Sequence, residues 1–379
     1  MMYIPRRLDL KGILAHKSCF LFGPRQTGKS SLIRHTLPGV RGYNLLDHQD
    51  FLSLSQNAKL LEQGIQASDA VIVIDEIQKL PHLLDEVHLI IEKYGIRFLL
   101  TGSSSRKLRR GGVNLLGGRA RSRTLHPFSY GELHEKFDLM RALQFGSIPS
   151  IYFSDSPEED LRAYVHDYLR EEIASEALVR NIPAFSRFLQ VAALCNAQMI
   201  NYAKISNDAQ VPKTTVQDYF QILKDTLIAT DLPAFKRTLK RKPVATSKFY
   251  FFDIGVVRLL QQRRGLLQKS PDFGEALETY IAHELQSWCD YTPGSSLHYW
   301  RSTSGYEVDF VLNETVAIEI KATDHVRAVD LRGIQALYEE GCISERVVVS
   351  CESRARVLDG VHILPVRDFL EKLWTSGFF

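Results

Sequence analysis

Two sets of residues in this 379-residue chain have types and spacings suited to chemistry. The first is Gly23-Pro24-Arg25-Gln26-Thr27-Gly28-Lys29-Ser30, which satisfies GxxxxGK[ST] in full and is followed by Ser31. Glycines at these places let backbone N–H groups face a phosphate chain, and a helix beginning there adds a favourable dipole. In such a loop Lys29 holds the β- and γ-phosphates and Ser30 ligates Mg²⁺. Asp75-Glu76 closes the apolar run Ala70–Ile74. An acidic pair at the carboxyl end of a buried strand is costly unless it has work there. Asp75 suits a water-mediated Mg²⁺ contact, and Glu76 the polarisation of an attacking water. Thr101 ends the next strand and is placed to sense a γ-phosphate. Ser103 and Ser104 beside it fit a helix cap or turn as well as a ligand.

The second set is Glu307-Val-Asp309-Phe-Val-Leu312 with Ala317-Ile-Glu319-Ile-Lys321. Strand alternation puts Glu319 and Lys321 on one face and Ile318 and Ile320 on the other. With Asn313-Glu314-Thr315 as a turn, the two runs form a hairpin that presents Asp309, Glu319 and Lys321 together. Two carboxylates of this kind hold Mg²⁺ beside a scissile phosphate, and a lysine positions water. Upstream, Glu278 projects from a helix over Phe273–Trp288. A salt-bridged pair on a solvated sheet face is the plainer reading of Glu319 and Lys321.

The elements that must carry these groups alternate along the first third. Strands are expected at Cys19–Phe22, Tyr43–Leu46, Ala70–Ile74 and Ile96–Leu100, with helices over Ser30–Leu37 and after Pro81. Strand–helix alternation with β-branched runs predicts a doubly wound α/β domain with a parallel sheet. The middle, from about Glu132 to Lys242, reads as helices. Within it Lys204–Leu227 reads as a helix-turn-helix with its turn at Val211-Pro212. Thr214, Thr215, Gln217 and Asp218 start the second helix, where such folds approach bases and phosphates. Lys213, Lys236, Arg237, Lys240, Arg241 and Lys242 would add a salt-sensitive phosphate footprint. Packing of these helices as a lid on the first domain is the alternative. From Lys248 a second, smaller α/β unit begins, with strands at Leu297–Trp300, Val308–Leu312, Val316–Ile320 and Arg346–Ser350 and a helix over Val329–Glu340. The divisions are thus residues 1–135, 136–245 and 246–379.

Two further stretches are basic, Arg106–Arg110 and Gly117–Arg123. Arg119, and after it Arg121, is the candidate for an arginine supplied across a subunit interface to stabilise transferring phosphoryl charge. A solvated loop or a DNA contact is the other reading. The acidic run Glu158-Glu159-Asp160 and the pair Glu171-Glu172 read as solvated helix faces.

Composition narrows the class without choosing a partner. Hydrophobic residues are 45% and charged residues 24%, which excludes a mostly disordered or collagen-like chain. Forty-seven basic against 44 acidic side chains give a net charge of +3, so only the placement of charge can speak for nucleic acid. Five scattered cysteines without a CxxC pair argue against a disulfide framework or a zinc site and favour a reducing cytoplasm. No apolar run approaches the roughly 20 residues of a membrane span.

Gly23–Ser30, Ile74-Asp-Glu-Ile-Gln-Lys-Leu-Pro81, Leu100-Thr-Gly-Ser-Ser104, Gly118-Arg119 and Leu125-His-Pro-Phe-Ser-Tyr-Gly-Glu132, in that order, resemble the prokaryotic AAA-type ATPases grouped with the archaeal-type ATPases and STAND NTPases. The resemblance covers roughly the first third. It implies ATP and Mg²⁺ as cofactors, a winged helix after the ATPase core, and homo-oligomerisation. Arg25 and Gln26 inside the loop suit that family. Leu277-Glu278…Glu284-Leu285, Tyr299-Trp300-Arg301, Glu307-Val-Asp309-Phe and Ile318-Glu-Ile-Lys321-Ala resemble the PD-(D/E)xK nuclease superfamily. That resemblance makes Asp309 and Glu319 metal ligands, Lys321 the catalytic lysine and Glu278 the helix carboxylate. It leaves two outcomes open: a DNA-cleaving unit, or an inactive module that binds nucleic acid or a protein partner.

Overall fold

The computed structural model describes residues 3–104, 116–168 and 181–375. The basic stretch Arg106–Arg110 and the pair Glu171-Glu172 lie outside the described residues. Two compact units divide the chain, Met1–Pro127 with Asp225–Ile228, and Phe128–Lys224 with Ala229–Phe379.

The first unit is built on a five-stranded parallel sheet: β1 (Ser18–Phe22), β2 (Gly42–Asn44), β3 (Val71–Asp75), β4 (Arg97–Gly102) and β5 (Ala120–Thr124), in the order β2-β3-β4-β1-β5. The central strands are continuous apolar runs because helices cover both faces of such a sheet. Cys19–Phe22, Ile72–Ile74 and Phe98–Leu100 are buried, and Leu83, Leu84, Val87 and Ile90 of α2 (Leu83–Tyr94) pack against them. Helix α1 (Lys29–Thr36) follows β1 directly through the glycine loop. The doubly wound α/β expectation and the parallel sheet hold, with strand ends shifted by a residue or two.

One element departs from the sequence reading. Residues 120–124 of the basic stretch are a strand, paired to β1 with Ser18 opposite Ala120. An edge strand needs hydrogen-bonding partners on one side only, and charged side chains keep its other side from pairing. Arg121 and Arg123 therefore conceal the strand from any reading based on apolar pattern.

The second unit begins with helices and contains, in chain order, α3 (Ile182–Leu194), α4 (Tyr202–Ala209) and α5 (Lys213–Asp225). The last two form the expected helix-turn-helix, with Gln210 in the left-handed region at the turn. Val216, Tyr219, Phe220 and Leu223 face inward from α5, while Thr214, Gln217 and Asp218 are exposed and Thr215 is half-buried. The middle is not all helix: β6 (Gln198–Met199) and β7 (Ala229–Leu232) join β8 (Lys248–Phe251), which matches the strand expected from the aromatic run Lys248–Phe252, in an antiparallel sheet ordered β6-β8-β7. Strands of two and four residues are too short to show alternation.

Beyond α6 (Pro271–Tyr291) comes a six-stranded sheet of β9 (Leu297–Arg301), β10 (Glu307–Leu312), β11 (Val316–Lys321), β12 (Glu345–Ser350), β13 (Arg356–Leu358) and β14 (Val361–Pro365), ordered β13-β14-β12-β11-β10-β9. β9, β10 and β11 are antiparallel neighbours, whereas β12 joins β11 and β14 in parallel. The β10–β11 turn is as expected: Asn313, Glu314 and Thr315 lie between the paired residues Leu312 and Val316, and Asn313 and Glu314 both have positive φ, 50° and 62°. Trp300, Val308, Val311, Ala317 and Val348 form the core on one face with α7 (Arg332–Tyr338). The expected helix over Val329–Glu340 is split, with a 3₁₀ turn at Ala328–Leu331 before α7. The last strand pair and α8 (Val366–Thr375) were not among the expected elements, although Val366, Phe369, Leu370 and Leu373 of α8 repeat at helical spacing and are buried.

Candidate functional site

At the carboxyl ends of β1, β3 and β4 the predicted nucleotide residues come together. Gly23 has φ 156° and Gly28 φ 93°; a Cβ at Gly23 would collide with the Leu125 carbonyl, and at Gly28 only the Arg6 guanidinium lies near. Pro24, Arg25 and Gln26 form the loop crest, with Gln26 at φ 61°. Thr27 Oγ1 donates to the Pro24 carbonyl at 2.9 Å, and Arg6 braces the loop from outside by donating to the Thr27 carbonyl at 2.6 Å. Lys29 is buried and folds back to donate to the carbonyls of Gly23 at 2.7 Å and Pro24 at 3.0 Å. Ser30 Oγ donates to Asp75 Oδ2 at 3.3 Å, and Ser31 follows on the first turn of α1.

Thr101, fully buried, donates its hydroxyl to Asp75 Oδ1 and accepts the Glu76 N–H at 3.3 Å. Glu76 itself stands at φ 61°, a strained position for a non-glycine residue that turns its carboxylate off the strand line. Gln78 then donates to the Glu76 carboxylate and to Ser103 Oγ at 3.3 Å. Arg6 and Gln78 are functional neighbours that sequence reasoning missed; the buried amide of Gln78 in the run Ile-Asp-Glu-Ile-Gln was the available signal. A hydroxyl beside a carboxylate, a lysine over a glycine loop and a helix N-terminus behind it make a donor set that fits a Mg²⁺-bound triphosphate.

Arg119 is not with this group in the chain's own contacts. It pairs with Glu92 of α2, both partly exposed.

The second predicted set also converges, on the face where α6 and β8 meet β10 and β11. Asp309 Oδ2 accepts the Ile320 N–H at 2.8 Å, Lys321 Nζ donates to Glu319 Oε1 at 2.7 Å, and Glu278 accepts Tyr250 OH at 2.7 Å. Glu319 Oε2 is buried without a hydrogen-bond partner. Sequence reasoning missed Lys248, which starts β8. Its buried ammonium lies 2.8 Å from Glu307 Oε1 and 3.4 Å from Glu278 Oε1. Burial works against the Lys248 charge, but Glu278, Asp309 and Glu307 outweigh it and hold its pKa above the ordinary lysine value. Burial, and Asp309 nearby, raise the carboxyls of Glu278 and Glu319, and burial raises that of Asp309. Among the described residues no three His, Cys, Asp or Glu side chains converge as a metal cluster.

Glu284, matched in the sequence to the nuclease-like helix, does other work. It is fully buried and accepts the Tyr130 N–H at 2.7 Å, Trp374 Nε1–H at 2.6 Å and the Tyr280 hydroxyl. Part of the run His-Pro-Phe-Ser-Tyr-Gly-Glu132 is thereby explained as packing. Gly131 lies against the Trp374 ring with no room for a side chain, and Glu132 accepts the Ser129 N–H at 3.1 Å.

The basic loop Lys236–Lys242 joins β7 to β8. Arg237 pairs with Glu314, and Arg241 with Glu339 at 2.5 Å and Glu340 at 3.1 Å. Lys236, Lys240 and Lys242 remain exposed. No described helix is long and apolar enough to cross a membrane.

Comparison with known families divides the chain three ways. Residues 15–134 match the AAA domain, residues 136–266 a domain of unknown function (DUF8612), and residues 273–369 another domain of unknown function (DUF4143). A comparison with curated proteins finds no match. Among solved structures, a STAND protein with a tetratricopeptide repeat sensor from Pyrococcus horikoshii is similar over 74% of this chain at 16% identity and a TM-score of 0.27. The similarity spans 48% of that relative, about half its length. The matched amino-terminal family, the parallel sheet and the loop geometry agree in likening residues 15–134 to an AAA-type P-loop ATPase domain.

Proposed function

We propose that the protein is a Mg²⁺-dependent ATPase whose nucleotide state regulates its carboxy-terminal region. The observation that carries this reading is the hydrogen-bonded string Ser30–Asp75–Thr101–Glu76 opposite the Gly23–Ser30 loop. In it the backbone of Gly23–Lys29 and the side chain of Lys29 take the phosphates, exchanging the Gly23 and Pro24 carbonyls for phosphate oxygens. Ser30 and Asp75 hold Mg²⁺, which supplies charge neutralisation at the phosphates. Thr101 fixes the Asp75 carboxylate, and Glu76, restrained by Gln78, orients the attacking water. Arg119 serves, in this reading, a neighbouring copy of the chain in a homo-oligomer, released from Glu92 on assembly. Steady-state ATP hydrolysis by wild type and Lys29→Ala tests the assignment; equal rates would remove it.

The carboxy-terminal half supports two finer readings. In the first, the helix-turn-helix and the exposed lysines of the 236–242 loop contact DNA, and Asp309, Glu319 and Lys321 cleave it with a divalent metal. The unpartnered Glu319 Oε2 is the feature that favours a missing cation there. In the second, ATP switches assembly, and the nuclease-like unit is an inactive surface for a protein partner. Lys248 favours this one: a fixed ammonium already satisfies Glu278 and Glu307 where a metal site would leave them open. Incubating the protein with duplex and branched DNA in Mn²⁺, beside light scattering with and without ATP, separates the two. Cleavage lost in Lys321→Ala supports the first, and ATP-dependent assembly without cleavage the second.

A further inference from the structure

The stretch matched to DUF8612 contains a cavity of about 390 Å³, formed by residues of the helices Leu139–Phe145, Pro157–Ala163 and Ile254–Leu260 and the turn that follows. Four of its lining residues are arginines: Arg162, Arg258, Arg263 and Arg264. Glu158 is the one acid among the lining residues, and Arg162 engages it at 2.6 Å. Arg263 is held by Glu275 at 2.6 Å and Asp272 at 3.2 Å.

Arg258 is different. It is only 3% exposed, one terminal nitrogen donates to the Gly265 carbonyl, and the other, Nη1, is buried with no hydrogen-bond partner. Among the described residues no acid lies within ion-pair distance of it. A buried guanidinium that lacks a counter-charge is costly, because it gives up hydration of a permanent charge for nothing in return. Burial accordingly lowers its pKa, with Asp272 opposing from a distance and Arg263 adding repulsion. Arg264 stands exposed in the same lining, also without an ion pair among the described residues.

We propose that this cavity binds an oxyanion-bearing small molecule, with Arg258 as its deep donor and Arg264 as its outer one. A planar guanidinium with unsatisfied donors matches the paired oxygens of a phosphate or carboxylate. The volume falls in the range of metabolite pockets rather than that of a single ion. Phe145, Leu161 and Leu259 supply an apolar wall for the rest of the molecule. The chain thereby carries a ligand site in its middle segment that is independent of the nucleotide loop.

The test is calorimetric titration of the full-length Lys29→Ala protein, whose phosphate loop is disabled, with pyrophosphate, ribose 5-phosphate and citrate at matched ionic strength. At least one probe is expected to bind at one per chain. Arg258→Met should weaken that binding about 10-fold or more, and Arg264→Ala about 3-fold. Tightest binding by a phosphate probe assigns phosphate chemistry, and by citrate carboxylate chemistry. Absence of binding by all three overturns the proposal, as does binding that survives both substitutions. Should Arg258→Met not fold, the exposed Arg264→Ala alone decides.

Discussion

Ser30 and Asp75 are 45 residues apart in sequence and one hydrogen bond apart in space, Oγ to Oδ2 at 3.3 Å. The pair joins the start of α1 to the end of β3, and Thr101 holds the other Asp75 oxygen. Lys29→Ala is expected to abolish ATP binding in filter or fluorescence assays. Glu76→Gln should bind ATP normally and hydrolyse it about 10²-fold slower or worse, the loss typical of a removed general base. A variant with normal turnover would move the water-orienting role elsewhere.

Burial pushes the Glu284 carboxyl up to about 7, against its hydrogen bonds from Tyr280, Tyr130 and Trp374. The folded pKa is above the unfolded one, so the folded state binds the extra proton. This group's contribution to stability is complete below the unfolded value and is lost as pH rises through about 7. Urea unfolding followed by tryptophan emission should show the second unit weakening by about 3 kcal/mol between pH 4.5 and 7.5 on this account. All three tryptophans, Trp288, Trp300 and Trp374, lie in that unit. Glu284→Gln should remove this group's share of the slope and leave that of Glu278, Glu319 and Asp253, whose carboxyls burial also raises, while Glu284→Ala should unfold earlier at every pH because it strands three buried donors.

Lys248→Met removes the cation that Glu278, Glu307 and Asp309 surround. Breaking a buried charge cluster from one side costs about 3–5 kcal/mol, and the same tryptophan-monitored unfolding should register it. Millimolar Mn²⁺ should restore part of that loss in the variant while leaving the wild type less affected. Equal response of both proteins would show that Lys248 does not compete with a metal.

The two kinds of basic residue in the 236–242 loop should separate in a salt titration. Where DNA is bound through this loop, each exposed lysine changed to alanine among Lys236, Lys240 and Lys242 lowers the slope of log K against log salt by roughly 0.9. Arg241→Ala should leave that slope alone and lower stability instead, since Glu339 and Glu340 already consume the arginine and the buried Glu340 would keep only the N–H groups of Leu239 and Lys240 without a counter-charge.

The residues at the nucleotide loop were legible because their chemistry is written in adjacent positions. Gly23 through Ser30 needs only one turn of chain, and Asp75 announces itself by ending an apolar run. The β10–β11 hairpin was equally readable, because alternation and an Asn-Glu turn are local signals. Lys248 was not, since its meaning depends on Glu278 and Glu307, which arrive 30 and more residues later from a helix and another strand. A lysine opening the fully buried strand Lys-Phe-Tyr-Phe was nevertheless a clue that some acid waits inside. Glu284 carried no role in the sequence, because two of its three donors, the Tyr130 N–H and Trp374 Nε1–H, come from distant segments and only Tyr280 lies on its own helix. Strand β5 was hidden by Arg121 and Arg123, which are tolerated only because one edge faces no partner strand.

Asp225–Ile228 belong to the ATPase unit although the chain reaches them only after the helix-turn-helix. Ser104 Oγ donates to the Asp225 carbonyl at 3.1 Å, Thr226 is fully buried, and Leu227 packs on the sheet core. During synthesis all five strands of the amino-terminal sheet have been made by Thr124, but the Asp225–Ile228 patch on its core waits for nearly a hundred further residues to leave the ribosome, roughly 5–20 s at ordinary elongation rates. The core of the first unit is therefore closed only in a chain that has already made its middle segment, so translation order itself keeps a truncated product from carrying that unit complete.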